Sequence, residues 1–256
     1  MITAIVQART RSTRLPKKVL MKLGGITVLE QVVRRIKKSK LVKDVIIATT
    51  TDKSDDIIAN LCKRKKIKFF RGSMDNVLDR YYQTAKYFKA QHVCRITSDC
   101  PLIDPEIIDL VAKKYLETGV DYISNSRPES EATFPDGLDL EIFSFQALEK
   151  TWHKAKLLSE TEHVTPYIWK NPRKFKTIVV KNKTDLSYLR WTLDELIDYK
   201  LIKKIYNKLG KNNKIFLMND ILALIKKEPE LATMNNNIKR NAGYFKSIKE
   251  DKQSCK

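Results

Sequence analysis

Near its start the chain reads Ala4-Ile5-Val6-Gln7-Ala8-Arg9-Thr10-Arg11-Ser12-Thr13-Arg14-Leu15-Pro16-Lys17-Lys18-Val19-Leu20, a short apolar strand that runs directly into a basic loop. The loop carries three arginines, two lysines and three hydroxyl side chains before apolar sequence returns. Backbone N–H groups in a turn, with guanidinium forks and an ammonium, can satisfy many oxygens of a triphosphate. The loop therefore predicts a polyanion site, unless it is a solvated basic loop of the kind common in basic chains.

Length and composition set the scale of the protein. With 256 residues, 42% of them hydrophobic, the chain can bury the core of one large domain, or of one domain with an appendage. The net charge of +20 attracts nucleotides and anionic lipids. Basic segments such as 34–38 and 63–66 lack interleaved aromatic residues that would stack on bases, so we predict no specific nucleic-acid partner.

Three further observations concern the environment of the chain. No apolar run approaches the roughly 20 residues of a membrane-spanning helix. The cysteines at 62, 94, 100 and 255 have no paired metal-ligand spacing, and no secretory leader precedes Met1. We therefore predict a cytoplasmic protein with reduced thiols and no membrane span.

Apolar runs and amphipathic stretches alternate along the first half of the chain. Strands are predicted at 2–7, 44–49, 68–70, 92–97 and 122–125, and helices at 28–38, 55–65, 77–88 and 105–118. This order predicts an α/β fold with a mostly parallel sheet flanked by helices. Ligands of such sheets bind beyond the carboxyl ends of the strands, so the loop after the first strand and the turn Ser98-Asp99-Cys100-Pro101 are expected to face one cleft.

The second half breaks this rhythm. Residues 126–183 are predicted to form an inserted α+β subdomain on the substrate side, with a strand at 138–143 and helices at 145–154 and 160–170. Strands at 176–180 and 188–192 and a helix at 195–209 return to the sheet. The main domain is expected to span 1–210, followed by a basic C-terminal extension, 211–256, with a helix at 220–227 and no evident chemistry.

Motifs spread along the chain together resemble a known family. They are Gln7-Ala8-Arg9 and Ser12-Thr13-Arg14-Leu15-Pro16 with Lys18, then Val77-Leu78-Asp79-Arg80-Tyr81, Arg95-Ile96-Thr97-Ser98-Asp99-Cys100-Pro101-Leu102-Ile103, Phe134-Pro135-Asp136-Gly137-Leu138-Asp139, Glu162-His163-Val164-Thr165-Pro166-Tyr167 and Arg190-Trp191-Thr192-Leu193-Asp194. The set resembles the cytidylyltransferases that make CMP-activated acidic sugars, such as 3-deoxy-manno-octulosonate cytidylyltransferase. The SpsF-like branch of spore coat polysaccharide biosynthesis is most similar. Lys17 and Ser98 stand where the family usually has Gly.

The resemblance implies a Rossmann-like fold of the nucleotide-diphospho-sugar transferase type and a chemistry. The expected reaction transfers CMP from CTP to a sugar acid or related acceptor, releases pyrophosphate and serves surface polysaccharide synthesis. The resemblance also makes a homodimer plausible. Residue patterns name neither the acceptor nor the base, because base readout in such sites often uses backbone groups.

Two aspartates are the candidate metal ligands. Mg²⁺ prefers oxygen ligands and usually takes one or two carboxylates besides phosphates and waters. Asp99 follows an apolar strand and precedes the stiff Pro101, and Asp194 lies between a predicted strand and a predicted helix. In related sugar-acid cytidylyltransferases the aspartates of these two motifs bind the metal. The alternative for Asp194 is a helix cap.

Basic and hydroxyl side chains are the candidates for binding the nucleotide. Guanidinium forks suit Arg9 and Arg14 to bridging phosphate oxygens, and Lys18, a point charge, is assigned to the leaving pyrophosphate. Arg11 and Lys17 are expected to face solvent. The remaining candidates are Ser12 and Thr13 as donors, and Arg71 and Arg80 after the third strand.

The acceptor side carries weaker patterns. Asp139 and Glu141 alternate with apolar residues on a predicted strand, which places them on one face. They are candidates for acceptor hydroxyls or a second metal, or they are the solvated side of an edge strand. His163 is a candidate acceptor contact because its motif resembles the family's, although a lone histidine is more often structural.

Absent motifs narrow the alternatives. The chain has no GxxxxGK[ST], GxGxxG, GxSxG or HExxH, which argues against P-loop ATPases, Rossmann dehydrogenases, hydrolases with a serine elbow and zinc proteases. A sugar-nucleotide-dependent glycosyltransferase of similar fold and a noncatalytic nucleotide-binding protein remain as alternatives to the enzyme. No stretch matches the glycosyltransferase DxD metal motif well.

Overall fold

The apolar residues after Met1 form a central strand of a seven-stranded sheet in the computed structural model, which describes residues 1–210 and 214–254. The strands in chain order are β1 (Ile2–Gln7), β2 (Lys22–Leu23), β3 (Ile26–Thr27), β4 (Val42–Thr50), β5 (Lys68–Gly72), β6 (His92–Thr97), β7 (Tyr122–Ser124), β8 (Glu141–Ser144) and β9 (Thr177–Val179). Their order in the large sheet is β5-β4-β1-β6-β8-β7-β9, and β2 and β3 form a separate antiparallel pair.

Helices connect and cover the strands. In chain order they are α1 (Val28–Ile36), α2 (Asp56–Arg64), α3 (Val77–Tyr87), α4 (Pro105–Thr118), α5 (Phe145–Lys154), α6 (Leu158–His163), α7 (Pro166–Trp169), α8 (Leu196–Leu209), α9 (Met218–Lys227), α10 (Glu230–Thr233) and α11 (Ala242–Ser254). None of the helices within 1–210 and 214–254 has the length and apolar composition that crossing a bilayer requires.

The sheet is parallel except around β8. Strands β5, β4, β1 and β6 run parallel to their neighbours, β8 is antiparallel to β6 and β7, and β9 is parallel to β7. The predicted α/β fold with a mostly parallel sheet is therefore confirmed. In the register, Gln7 at the end of β1 lies beside Thr97 at the end of β6. The loop after β1 and the turn after β6 consequently leave the same edge of the sheet.

Both faces of the sheet are buried, as β1 shows residue by residue. Ala4 and Val6 belong to the larger apolar cluster, which includes residues of α1, α2, α4 and α8. Ile5 faces the other cluster, which includes residues of α3, α5 and α7. Side chains that alternate between two apolar layers explain why the strand is apolar throughout. Phe216 and Ile221 extend the larger cluster into the C-terminal residues.

The second half departs from several predicted boundaries. Strand β8 begins at Glu141 rather than at residue 138. Before it, Gly137, at φ +107°, lies too close to the backbone of Trp191 for any Cβ, with a contact of 2.5 Å. The strand predicted at 188–192 is absent, and one isolated bridge joins Asp136 to Arg190. The helix predicted at 160–170 is two helices, α6 and α7. Proline at position 166 lacks an N–H and can only begin a helix, and Val164 breaks the path at φ +72°.

Candidate active site

Lys18 is the centre of the site. Its ammonium donates to Asp99 Oδ2 at 2.9 Å, to Asp194 Oδ1 at 2.8 Å and to the Leu193 carbonyl oxygen at 2.9 Å. Lys18 is the first residue of a short 3₁₀ turn, Lys18–Leu20. It directly follows Lys17, whose φ of 57° is left-handed. A left-handed residue at this point explains why the resembled family usually has Gly there.

The charges of this cluster stabilise one another. Burial opposes ionisation of Asp99, but Lys18 outweighs that cost and lowers the pKa of Asp99 to about 2. Burial likewise works against the ammonium of Lys18, yet Asp99 and Asp194 together raise its pKa. Lys18 is thus a protonated cation shared between two carboxylates at neutral pH.

Backbone contacts bring the two aspartates together. Asp99 lies in the turn after β6, and its carbonyl oxygen accepts from the Leu193 N–H at 2.8 Å and the Thr192 hydroxyl at 3.3 Å. The helix-cap interpretation of Asp194 is wrong. Helix α8 is capped at Glu195, and Asp198 accepts from the backbone N–H groups of residues 194 and 195, both at 2.9 Å. The carboxylate of Asp194 is therefore free to bind cations.

The cluster lies beside two cavities that share part of their lining. The larger cavity has a volume of about 630 Å³ and the smaller one about 200 Å³. Asp99, Asp194, Arg14 and His163 line both of them. The other predicted nucleotide residues that line the larger cavity are Arg9, Ser12, Thr13, Lys18 and Arg80. The structure thus places eight of the nine residues predicted for metal and nucleotide, all except Arg71, around one cleft.

The loop that follows β1 is held in place from below. Thr10 donates through its N–H and its hydroxyl to Asp55 Oδ1, each at 2.7 Å, and its carbonyl oxygen accepts from the Lys17 N–H at 2.9 Å. Arg14 pairs with Asp194 at 3.0 Å. Arg9 is exposed and has no ion pair within the described part of the chain. The loop is therefore rigid at its base and presents cations at its tip.

Arg71 and Arg80 have different surroundings. Arg71 donates to the carbonyl oxygens of Thr50 at 2.8 Å and Asp52 at 3.0 Å and pairs with Asp56 at 2.7 Å, so it braces the loop after β4 rather than lining the cleft. Arg80 is buried beside the larger cavity, and burial, reinforced by the charge of Arg9, lowers its pKa.

The predicted acceptor residues are mostly engaged within the protein. Glu141 is buried and accepts from Arg95, from the Tyr122 hydroxyl at 2.6 Å and from the Thr165 hydroxyl at 2.6 Å. The solvated edge-strand interpretation is wrong for Glu141, because β8 lies between β6 and β7. Asp139 precedes the strand, so the alternation argument does not apply to it, and it pairs with Arg240 at 2.7 Å.

His163 lies at the end of α6 and lines both cavities. Its Nε2 is 3.2 Å from the Ser247 hydroxyl, and its ring packs edge-on against Tyr244. Burial lowers its pKa to about 3, and the nearby charges of Arg95 and Arg127 act in the same direction. His163 is consequently neutral at physiological pH.

Two groups of residues at the site escaped the sequence analysis. Buried Arg190 pairs with Asp136 at 2.9 Å, Asp194 at 3.2 Å and Asp198 at 3.1 Å. The sequence feature that could have identified Arg190 is its position four residues before Asp194, in the same motif. The second group is the N-terminal half of α11, whose residues line both cavities. Its sequence offers few apolar residues in helical spacing, so no pattern pointed to it.

The donor set can be tested against a hard divalent cation. The carboxylates of Asp99 and Asp194 already share one cation, the Lys18 ammonium, within hydrogen-bond distance of each. Within the residues that the structure describes, no group of three or more His, Cys, Asp and Glu side chains could hold a metal ion. Two carboxylates that need phosphate oxygens to complete the shell are the arrangement Mg²⁺ commonly accepts, so the residues fit.

The fold is of the α/β class, and its cleft joins basic side chains to two carboxylates, as nucleotidyl transfer requires. Residues 3–240 match the model of the family described as "Cytidylyltransferase". An uncharacterized protein of Methanocaldococcus jannaschii is 37% identical over 253 residues, covering 97% of this chain and 99% of that protein. The spore coat polysaccharide biosynthesis protein SpsF of Bacillus subtilis is 30% identical over 241 residues, covering 91% and 97%.

A solved structure of a related protein is similar to this chain in its three-dimensional fold as well as in its sequence. The cytidylyltransferase of Leptospira borgpetersenii superposes with a TM-score of 0.85 at 33% identity, covering 93% of this chain and 99% of that one. The chain belongs to the cytidylyltransferase family. The predicted family, the predicted fold and the predicted enzyme class, a nucleotidyltransferase that uses CTP, are confirmed, and the enzyme is favoured over the glycosyltransferase and the noncatalytic protein.

Proposed function

We propose that the enzyme is a Mg²⁺-dependent cytidylyltransferase that transfers CMP from CTP to a sugar acid or related acceptor, for surface polysaccharide biosynthesis. The observation that carries this proposal is the meeting of the basic loop with Asp99 and Asp194 in one cleft, joined by Lys18. The polysaccharide role is supported by the full-length similarity to SpsF.

In the proposed reaction an acceptor hydroxyl oxygen attacks the α-phosphorus of CTP. The new bond joins the acceptor oxygen to that phosphorus, the bond to the α,β-bridging oxygen breaks, and pyrophosphate leaves with the electron pair. The proton of the hydroxyl passes to solvent. Most of the acceleration must come from positioning the reactants and from stabilising charge on the phosphates.

Each part of the cleft has a role in this proposal. Arg9 and Arg14 bind phosphate oxygens with their guanidinium forks. The Lys18 ammonium stabilises the negative charge that develops on the leaving pyrophosphate. To do so it exchanges one of its carboxylate partners for a phosphate oxygen. Asp99 and Asp194 would hold Mg²⁺, which when bound supplies positive charge to the α-phosphate. The smaller cavity, lined by Arg95, Arg127 and Arg190 among others, receives the acceptor.

Pyrophosphate release measured with purified protein tests the proposal. CTP, ATP, GTP and UTP are each supplied with a panel of 2-keto-3-deoxy sugar acids of increasing chain length, with and without EDTA. We expect release with CTP and an acid acceptor, abolished by EDTA and restored by Mg²⁺. Equal release with all four nucleotides, or undiminished release in EDTA, would contradict the base or the metal assignment.

A further inference from the structure

The smaller cavity contains an arginine that has no ion pair with a carboxylate. Four arginines line it, and three have carboxylate partners: Arg14 pairs with Asp194, Arg95 with Glu141 and Arg190 with Asp136. The fourth, Arg127, has no carboxylate within 4.0 Å among the residues of 1–210 and 214–254. Five carboxylates also line the cavity, those of Asp99, Asp136, Asp139, Glu141 and Asp194, and each is paired with another lysine or arginine. Among the described lining residues, Arg127 is thus the arginine that has no carboxylate partner.

Arg127 is held in place by neutral groups, and the nearby Glu141 carboxylate, whose pKa its charge helps to lower, forms its ion pair with Arg95. One of the terminal nitrogens of Arg127 donates to the Asn241 side-chain oxygen at 2.6 Å, and its Cζ lies 5.7 Å from the centroid of the Tyr244 ring. A neutral amide and an aromatic face fix the plane of the guanidinium while leaving its charge and its other N–H donors available. This is the arrangement of a group prepared for a planar anion.

The segment that braces Arg127 lies beyond the matched family region. The family match ends at residue 240, whereas α11, a helix of 13 residues, begins at Ala242. Its first residues, Ala242 and Gly243, line both cavities, and the N-terminus of a helix carries partial positive charge. A Cβ at Gly243 would have His163 as its nearest neighbour at 3.9 Å, so the space beside this helix end is open. The buried Tyr244 hydroxyl has no hydrogen-bond partner among the described residues.

We propose that Arg127, braced by Asn241 and Tyr244, binds the carboxylate of the acceptor and makes this enzyme selective for acids over the corresponding neutral sugars. The assignment rests on the proposed function, since it concerns the second substrate of that reaction. The assignment of Arg127 extends the proposed function by naming the side chain that binds the acid group. It also gives α11 a part in substrate specificity.

The test compares sugar acids with their methyl esters. Pyrophosphate release is measured for wild type, Arg127→Ala, Arg127→Lys and the control Arg173→Ala, whose side chain is exposed and lines neither cavity. CTP affinity and the unfolding temperature are measured for each variant. Wild type is expected to prefer acid over ester. Arg127→Ala should lose about 100-fold of that preference, mainly through the acceptor KM, with CTP affinity unchanged. Arg127→Lys should recover part of it.

The outcomes separate the inference from the function on which it rests. If wild type binds CTP but uses acids no better than esters, the acid acceptor of the proposed function fails and the inference falls with it. If wild type prefers acids and Arg127→Ala keeps that preference, the inference alone is overturned. A loss of CTP affinity equal to the loss for the acceptor would also overturn it, because Arg127 would then act on the whole cleft.

Discussion

The cleft has two walls of contrasting origin. The loop wall, residues 9–18 with the Asp99 and Asp194 side chains that contact Lys18, is dense in charge and was recognised from sequence alone, whereas the C-terminal wall, residues 240–251, gave no signal. The loop wall is anchored by the buried carboxylate of Asp55, which accepts hydrogen bonds from the N–H and the hydroxyl of Thr10. The C-terminal wall is held by polar contacts with residues that are distant in the sequence. Ser247 of α11, for example, contacts His163 and donates to Glu162, both on α6. Functional residues that cluster in one segment can be recognised from the sequence. Residues that reach the cleft only through tertiary contacts cannot.

The metal ligands give the largest expected effect and test the loop wall. Asp99→Asn and Asp194→Asn each remove a charged ligand at nearly constant size, and turnover should fall about a thousandfold, roughly 4 kcal/mol of transition-state stabilisation. Nucleotide-dependent Mn²⁺ binding, followed by electron paramagnetic resonance, should weaken in parallel. Asp185→Asn, an exposed turn residue, is the control. Wild-type Mn²⁺ binding by Asp194→Asn would reject its assignment as a ligand.

Lys18 gives the next effect. Lys18→Ala should slow turnover about a hundredfold or more, because one preorganised electrostatic contact is worth about 3 kcal/mol in the transition state. It also leaves Asp99 and Asp194 facing each other without their shared cation, so added Mg²⁺ should raise the unfolding temperature of this variant more than that of wild type. Lys17→Ala is the matched control, since its side chain is exposed. Equal losses at 17 and 18 would mean that the wrong lysine was assigned.

Particular residues show how far the sequence could be read. The end of β1 and the end of β6 could be placed together because parallel strands end at one edge, and this predicted the approach of Asp99 to the loop. Glu141 could not be judged in this way, since its burial depends on Arg95 and Tyr122, which are distant in the chain. The helix at 242–254 has few apolar residues, and it is fixed by contacts such as Asp251 Oδ1 with the Ser159 N–H, which no periodicity reveals.

A smaller effect should come from loosening the C-terminal wall. Ser247 is buried, donates to Glu162 and contacts His163, so Ser247→Ala leaves both partners under-satisfied at a cost of about 1–2 kcal/mol. The KM for CTP and the acceptor KM should both rise several-fold, because residues of α11 line both cavities. Hydrogen exchange should quicken in α11 and not in residues 9–18. Lys252→Ala, exposed on the same helix, is the control. Equally faster hydrogen exchange in residues 9–18 would show that the two walls are not separable.

The walls can also be distinguished by pH, through stability rather than turnover. His163, which supports the C-terminal wall, has a folded-state pKa lowered from 6.5 to about 3, first by burial. Between these values the unfolded chain binds a proton that the folded chain does not, so the free energy of unfolding falls as pH falls through that window. Asp99 in the loop wall has its pKa lowered from 3.8 to about 2 by Lys18 against the cost of burial. Its contribution is present above 3.8 and is lost only as pH falls toward 2.

The C-terminal wall should therefore weaken at a pH where the loop wall is still intact. Urea unfolding from pH 7 to pH 4 should show a stability that decreases with acid, and His163→Gln should flatten that slope. His153→Gln, at an exposed histidine on α5, is the comparison variant. Hydrogen exchange at pH 5, corrected for its intrinsic pH dependence, should report loss of protection in α11 before any loss in residues 9–18. If both segments lose protection together, or if His163→Gln keeps the wild-type slope, the neutral histidine does not hold the C-terminal wall in place.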